Sequence, residues 1–125
     1  MQQVTRYIWT TFQKEGLHSY PAALTDPKLV DVAFLGYKHR HNFCFRVAIE
    51  VEHSERDIEF IQFKRWLQSL YNSPDELDLD DRSCETIADE LYVCISHKYP
   101  GRNVIISIAE DGESGCENHY FKELH

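Results

Sequence analysis

Apolar and polar residues alternate most cleanly over residues 43–53, where Phe43, Phe45, Val47, Ile49 and Val51 share one parity and Arg46, Glu50 and Glu52 the other. Successive side chains of a strand point to opposite faces, so this run predicts a strand with one buried face. Residues 4–12, rich in Val, Thr, Tyr, Ile and Trp, predict an earlier strand. From Phe60 the spacing changes: Phe60, Phe63, Trp66, Leu67 and Leu70 follow the three-four rhythm of an amphipathic helix that stops before Asn72, Ser73 and Pro74. Ser83 is a competent N-cap for a second helix with Cys84, Ile87, Ala88, Leu91, Cys94 and Ile95 on one face, ended by Pro100 and Gly101. Residues 103–110 return to alternation with Val104, Ile106 and Ile108 on one side. Residues 111–115 supply a turn, and residues 117–121 a short returning strand.

The order strand, strand, helix, helix, strand, strand predicts an α+β fold: a four-stranded antiparallel sheet with two helices on one face. A length of 125 residues, with no Gly/Ser-rich or Pro-rich linker, makes residues 1–125 one domain. The acidic stretch over residues 73–81 reads as a solvated loop between the helices, since no calcium-loop spacing is met. A net charge of −8 argues against a nucleic-acid partner, because that affinity rests on Lys and Arg neutralising phosphates. No apolar run approaches the ~20 residues of a membrane span, which gives a cytoplasmic protein as the simplest expectation. Cys44, Cys84, Cys94 and Cys116 lack paired spacing and are expected reduced.

The candidate chemistry begins at His39-Arg40-His41. Two residues apart on an extended backbone, both imidazoles project to one side and can share a metal ion. They also keep the parity of Phe43 and Phe45, so the plain alternative is two histidines at the end of the core face. His18, in Gly16-Leu17-His18, is the best third ligand. Glu110 follows Val104, Ile106 and Ile108 in parity, so its carboxylate is expected to face inward and to need a donor, such as a ligand edge with adjacent N–H groups.

These pieces together resemble the 6-pyruvoyl- and 6-carboxytetrahydropterin synthases. His39-Arg40-His41-Asn42-Phe43 is similar to their His-Gly-His-Asn-Tyr signature, Ile58-Glu59-Phe60 to their Asp-Phe before the first helix, and Ser83-Cys84-Glu85 to their Thr-Ser-Glu helix start. Glu110 takes the place of their pterin-holding glutamate, and Gly115-Cys116 matches a dipeptide of some bacterial members. The resemblance spans nearly the whole chain. It implies a tunnelling fold whose subunits join edge to edge into an oligomeric β-barrel, Zn²⁺ on His18, His39 and His41, and a pterin or purine-like ligand held by Glu110. In such a ring Tyr7 and Trp9 are the residues expected to be covered.

Departures from the pattern bear on catalysis. Leu35 stands where the family carries its catalytic cysteine, and residues 68–72 lack the family's Asp-His pair. His53, His119 and Cys116, with Asp57, are the candidates to replace them in proton transfer. Two main functions follow from the resemblance. One is a zinc-dependent carbon-oxygen lyase acting on a reduced pterin or guanine-derived compound, as in folate or 7-deazaguanine (queuosine) synthesis. The other is a catalytically silent pocket that holds or sequesters a purine-like or nucleotide ligand. A third, a bare structural scaffold, leaves the coincidence of three histidines and Glu110 unused.

Overall fold

The computed structural model describes residues 3–123; residues 1–2 and 124–125 of the expected domain lie outside the described residues. The chain runs β1 (Arg6–His18), two 3₁₀ segments (Pro21–Leu24 and Pro27–Gly36), β2 (His39–Val51) and α1 (Phe60–Ser69). It continues through β3 (Leu77–Asp78), α2 (Cys84–Lys98), β4 (Val104–Glu110) and β5 (Ser114–Tyr120). The sheet is five-stranded, open and mixed, in the order β3-β1-β2-β4-β5.

That corrects the expected four-stranded antiparallel sheet. Leu77 and Asp78 pair parallel to Gly16 and Leu17, and the Leu79 amide donates to the Leu17 carbonyl at 2.8 Å. The cause is visible in Leu77-Asp78-Leu79-Asp80: its leucines alternate with acids, and Leu79 is buried at 4 % exposure. Residues 73–81 are therefore not simply a solvated loop. The other strand pairs are antiparallel, as expected.

β1 also exceeds its expected end at Phe12. Gln13, Lys14 and Glu15 dilute its alternation, but pairing with β2 carries the strand on in register from Arg6↔Val51 to His18↔His39. Cross-strand pairing outweighs local polarity here. Both helices pack on one face as predicted, sealing Phe63, Leu67, Ile87, Leu91 and Ile95 against Phe43, Phe45, Val47, Ile49, Ile106 and Ile108 in one core. Each such side chain contributes about 1.5–3 kcal/mol by leaving water. Glu59 caps α1 by accepting from the Ile61 and Gln62 amides, and Ser83 caps α2 by accepting from the Thr86 amide. Cys94, expected on the apolar stripe of α2, is exposed.

Among the described residues the opposite face of the sheet carries no helix. Arg46 lies 4.7 Å over the Trp9 ring there, and Asn42 donates to Gln13 at 3.0 Å. Trp9 remains 56 % exposed. No described helix is long and apolar enough to cross a membrane.

Candidate functional site

The register of β1 and β2 builds the site. His18 is directly opposite His39, and Gly16 opposite His41, so all three histidines emerge on the helix-covered face at one end of the sheet. Both readings of their parity therefore hold: they terminate the core face, and they converge. Gly16 suits this crowding, since a Cβ there would meet Leu79 Cδ1 at 2.9 Å and the Phe43 ring at 3.0 Å and would push both aside. Phe43 forms the floor, edge-on to His18 at 5.1 Å and to His41 at 5.9 Å between centroids.

Each imidazole is held by its Nδ1. His18 Nδ1 lies 3.0 Å from the Arg82 carbonyl, His39 Nδ1 2.8 Å from the Tyr37 carbonyl, and His41 Nδ1 2.7 Å from Asp111 Oδ2. Carbonyls and an ionised carboxylate only accept, so Nδ1–H is the donor in all three rings and the proton assignment follows. In the neutral form of each ring, which is the form that binds metal, Nε2 is then the lone-pair donor. One ligand atom from each histidine falls within 4.8 Å of the others, a group that can hold a metal ion. His41 Nε2 is buried without a hydrogen-bond partner among the described residues. Outer partners that fix tautomer and orientation are what metal-ligating histidines carry.

The partners are themselves fixed. Asp111 opens the β4–β5 turn in the left-handed region, with φ 57°, followed by Gly112 at 72°. This returns its carboxylate to β2, where Asp111 Oδ1 accepts from the Asn42 amide at 2.8 Å. That amide, with His41, holds the Asp111 carboxyl below its ordinary range. Arg82 donates to the carbonyls of Asp78 and Leu79 and pairs with Glu90 at 2.7 Å, anchoring the segment that presents its own carbonyl to His18.

Glu110 is turned inward, as its parity predicts. Its Oε1 lies 3.2 Å from His18 Nε2 and its Oε2 3.3 Å from His41 Nε2. Beside it opens a cavity of about 450 Å³, bordered by His18, His39, Leu35, Cys84, Glu85 and Glu110. The size suits a small molecule. Leu35 reaches this wall because the Tyr20 amide donates to the Leu35 carbonyl at 2.7 Å and ties the two ends of the 3₁₀ region together.

The three replacements considered for proton transfer are not brought to this cavity within one chain. His53 follows β2 at the opposite end of the sheet, beyond a strand of 13 residues or roughly 40 Å. It faces Asp57 at 3.8 Å. His119 pairs with Ile105 on the helix-free face and contacts Glu117 at 2.8 Å. Cys116 is nearer, on the covered face opposite Ile108, but it packs against the core, and burial pushes its thiol up. The thiol that does border the cavity is Cys84, 3.9 Å from Glu110 Oε1; burial and the neighbouring Glu110 push it up to about 12. The sequence places Cys84 on the apolar stripe of α2 and in the Ser83-Cys84-Glu85 helix start, without marking it as a cavity residue. Its place at the first helical position after Ser83 was the available signal. No protein-family model matches the chain, and no curated protein matches it.

Proposed function

We propose that this chain is a zinc-binding pocket of the pterin-synthase type, in which His18, His39 and His41 hold Zn²⁺ and the adjoining cavity takes a reduced pterin or guanine-derived ligand. The observation that carries the reading is the set of three imidazoles whose Nδ1 atoms are all engaged and which each offer a ligand atom within 4.8 Å of the others. Three neutral imidazoles suit Zn²⁺, and a bound zinc ion would polarise a ligand oxygen as a Lewis acid. Glu110 offers the carboxylate for adjacent N–H groups on the ligand, with Glu85 on the same wall.

Between turnover and binding, the cavity favours binding. Leu35 borders it where the family's thiol would act, Cys84 is held protonated by its surroundings, and neither His53 nor His119 lies in it. Standard synthase chemistry is expected to be slow or absent. The tunnelling arrangement is part of the same proposal. Among the described residues β5 has a strand neighbour on one side only, and β1 is paired by β3 only at Gly16 and Leu17. Two open edges favour closure through further copies into a ring, with Tyr7 and Trp9 turned to its helix-free inner face.

The test is metal and ligand analysis of the purified chain. About one zinc per subunit is expected, lost in His39→Ala and in His41→Ala, together with a retained pterin or purine-like compound and no turnover of dihydroneopterin triphosphate. Unchanged metal content in both variants would sink the site, brisk turnover would overturn the binding reading, and a monomer by light scattering would remove the ring.

A further inference from the structure

We infer that Glu110 is itself a metal donor, so that the resting site is a four-ligand His₃Glu centre closed to the cavity until an incoming ligand displaces the carboxylate. The inference rests on the metal reading above and adds to it a donor that the histidine spacing does not contain.

With Nδ1–H donated to the carbonyl of Arg82 and to Asp111, the neutral rings of His18 and His41 turn their Nε2 lone pairs to the same space. The oxygens of Glu110 stand 3.2 and 3.3 Å from those same atoms. Two acceptors facing each other at that distance repel. The His41 contact makes no hydrogen bond, and His41 Nε2 is a buried nitrogen without a hydrogen-bond partner among the described residues. A cation between the atoms turns each repulsion into a bond. These two contacts match the edge of a tetrahedron, about 3.3 Å between donor atoms for metal–ligand bonds of about 2.0–2.1 Å, while the three histidine donors, within 4.8 Å of one another, must draw together to complete it.

The placement of Glu110 is also enforced. It closes β4 opposite Phe43, whose ring floors the histidines, and the next residue is Asp111, which holds His41 from outside. Consecutive residues thus serve one imidazole from both sides. Within the cavity, Cys84 Sγ lies 3.9 Å from Glu110 Oε1, the direction into which the carboxylate swings on release. A ligand oxygen taking its place at the metal leaves Glu110 beside the ligand, free to accept its N–H groups.

The experiment is competition titration of Zn²⁺ against a chromophoric chelator, and of Co²⁺ by its visible spectrum, on metal-free full-length protein. Glu110→Gln is expected to bind zinc at least tenfold more weakly than the parent and to shift the Co²⁺ bands. Circular dichroism of the metal-free variant checks folding. If Glu110→Gln does not fold, Glu110→Asp, which withdraws the oxygens by one methylene, is expected to show reduced affinity and an altered spectrum. Wild-type affinity and an unchanged Co²⁺ spectrum in the variant that folds would overturn the inference. So would tighter zinc binding, which would make the carboxylate a partner of protonated imidazoles that competes with metal. Either result leaves the three-histidine reading standing if His39→Ala loses the metal; a parent chain that takes up no metal removes both.

Discussion

The two ends of the long β1–β2 ribbon use the same residue types to opposite effect. Beyond Val51, Arg102 donates to Asp57 at 2.7 Å and to the Glu50 carbonyl at 3.2 Å, while Asp57 also accepts from the Glu52 amide at 2.7 Å. Lys122 closes the group on Glu50 at 3.2 Å. Cations and carboxylates there answer one another. At the His18–His39 end the outer nitrogens are answered just as fully, but the inner ones face each other and a carboxylate. A polar cluster that satisfies itself is a brace. One that is fixed from behind and unsatisfied in front is a site.

The largest effect expected is a double dissociation between these ends. His18→Ala should abolish zinc retention, because two imidazoles from one strand are left to hold the ion alone. Arg102→Ala should instead lower the denaturant midpoint and leave zinc affinity at the parent value. Calorimetric or chelator titrations on both variants, paired with urea unfolding, would show it; loss of metal in Arg102→Ala would erase the distinction between brace and site.

Asp111→Ala comes next. It removes the acceptor of His41 Nδ1 and the cap on the Asn42 amide. Removal of an outer partner of a metal-bound histidine typically costs 10–100-fold in affinity. Zinc competition titration should fall in that range, with stoichiometry preserved. An unaltered dissociation constant would mean that strand pairing alone sets the orientation of His41.

Much of this site was legible in the sequence because it follows from parity. His39 and His41 share the parity of Phe43, Glu110 shares that of Ile108, and both statements survive in the fold. His18 was legible as the third member of the histidine group, though its position within β1 was hidden by Gln13, Lys14 and Glu15, whose polarity masks a strand held by its neighbour. What could not be read were the backbone partners. The carbonyls of Tyr37 and Arg82 carry no side-chain signature, and β3, two residues long, showed only as the leucines of Leu77-Asp78-Leu79. The candidates for proton transfer lie away from the cavity within one chain for a related reason: spacing along the chain does not tell one end of a long strand from the other, as His53 illustrates.

At the braced end, acid should reveal the network. Its hydrogen bond from Arg102, then that from the Glu52 amide, hold the Asp57 carboxyl below its ordinary range. A carboxyl depressed in the folded state contributes stability that is complete above its unfolded value of about 3.9 and is lost as pH falls through the lower folded value. Urea midpoints measured from pH 6 down to pH 2.5 should therefore drop below about pH 4 in the parent, and less steeply in Asp57→Asn, which starts lower. Parallel acid limbs would show that other carboxylates govern this descent.

The smallest effect expected is the sharpest test of which histidines matter. His53 and His119 carry the same imidazole as the three at the site, and each also has a carboxylate nearby, Asp57 at 3.8 Å and Glu117 at 2.8 Å. Exposure and position set them apart. Both side chains are about half exposed, His53 past the far end of β2 and His119 on the helix-free face of β5. Exposed pairs of this kind contribute little. His53→Ala and His119→Ala should each leave zinc stoichiometry, zinc affinity and the Co²⁺ spectrum as in the parent, and the double variant should behave like the singles. A tenfold loss of affinity in either would mean that a residue from a neighbouring copy reaches the cavity in the assembled ring, since within one chain neither imidazole can approach His18.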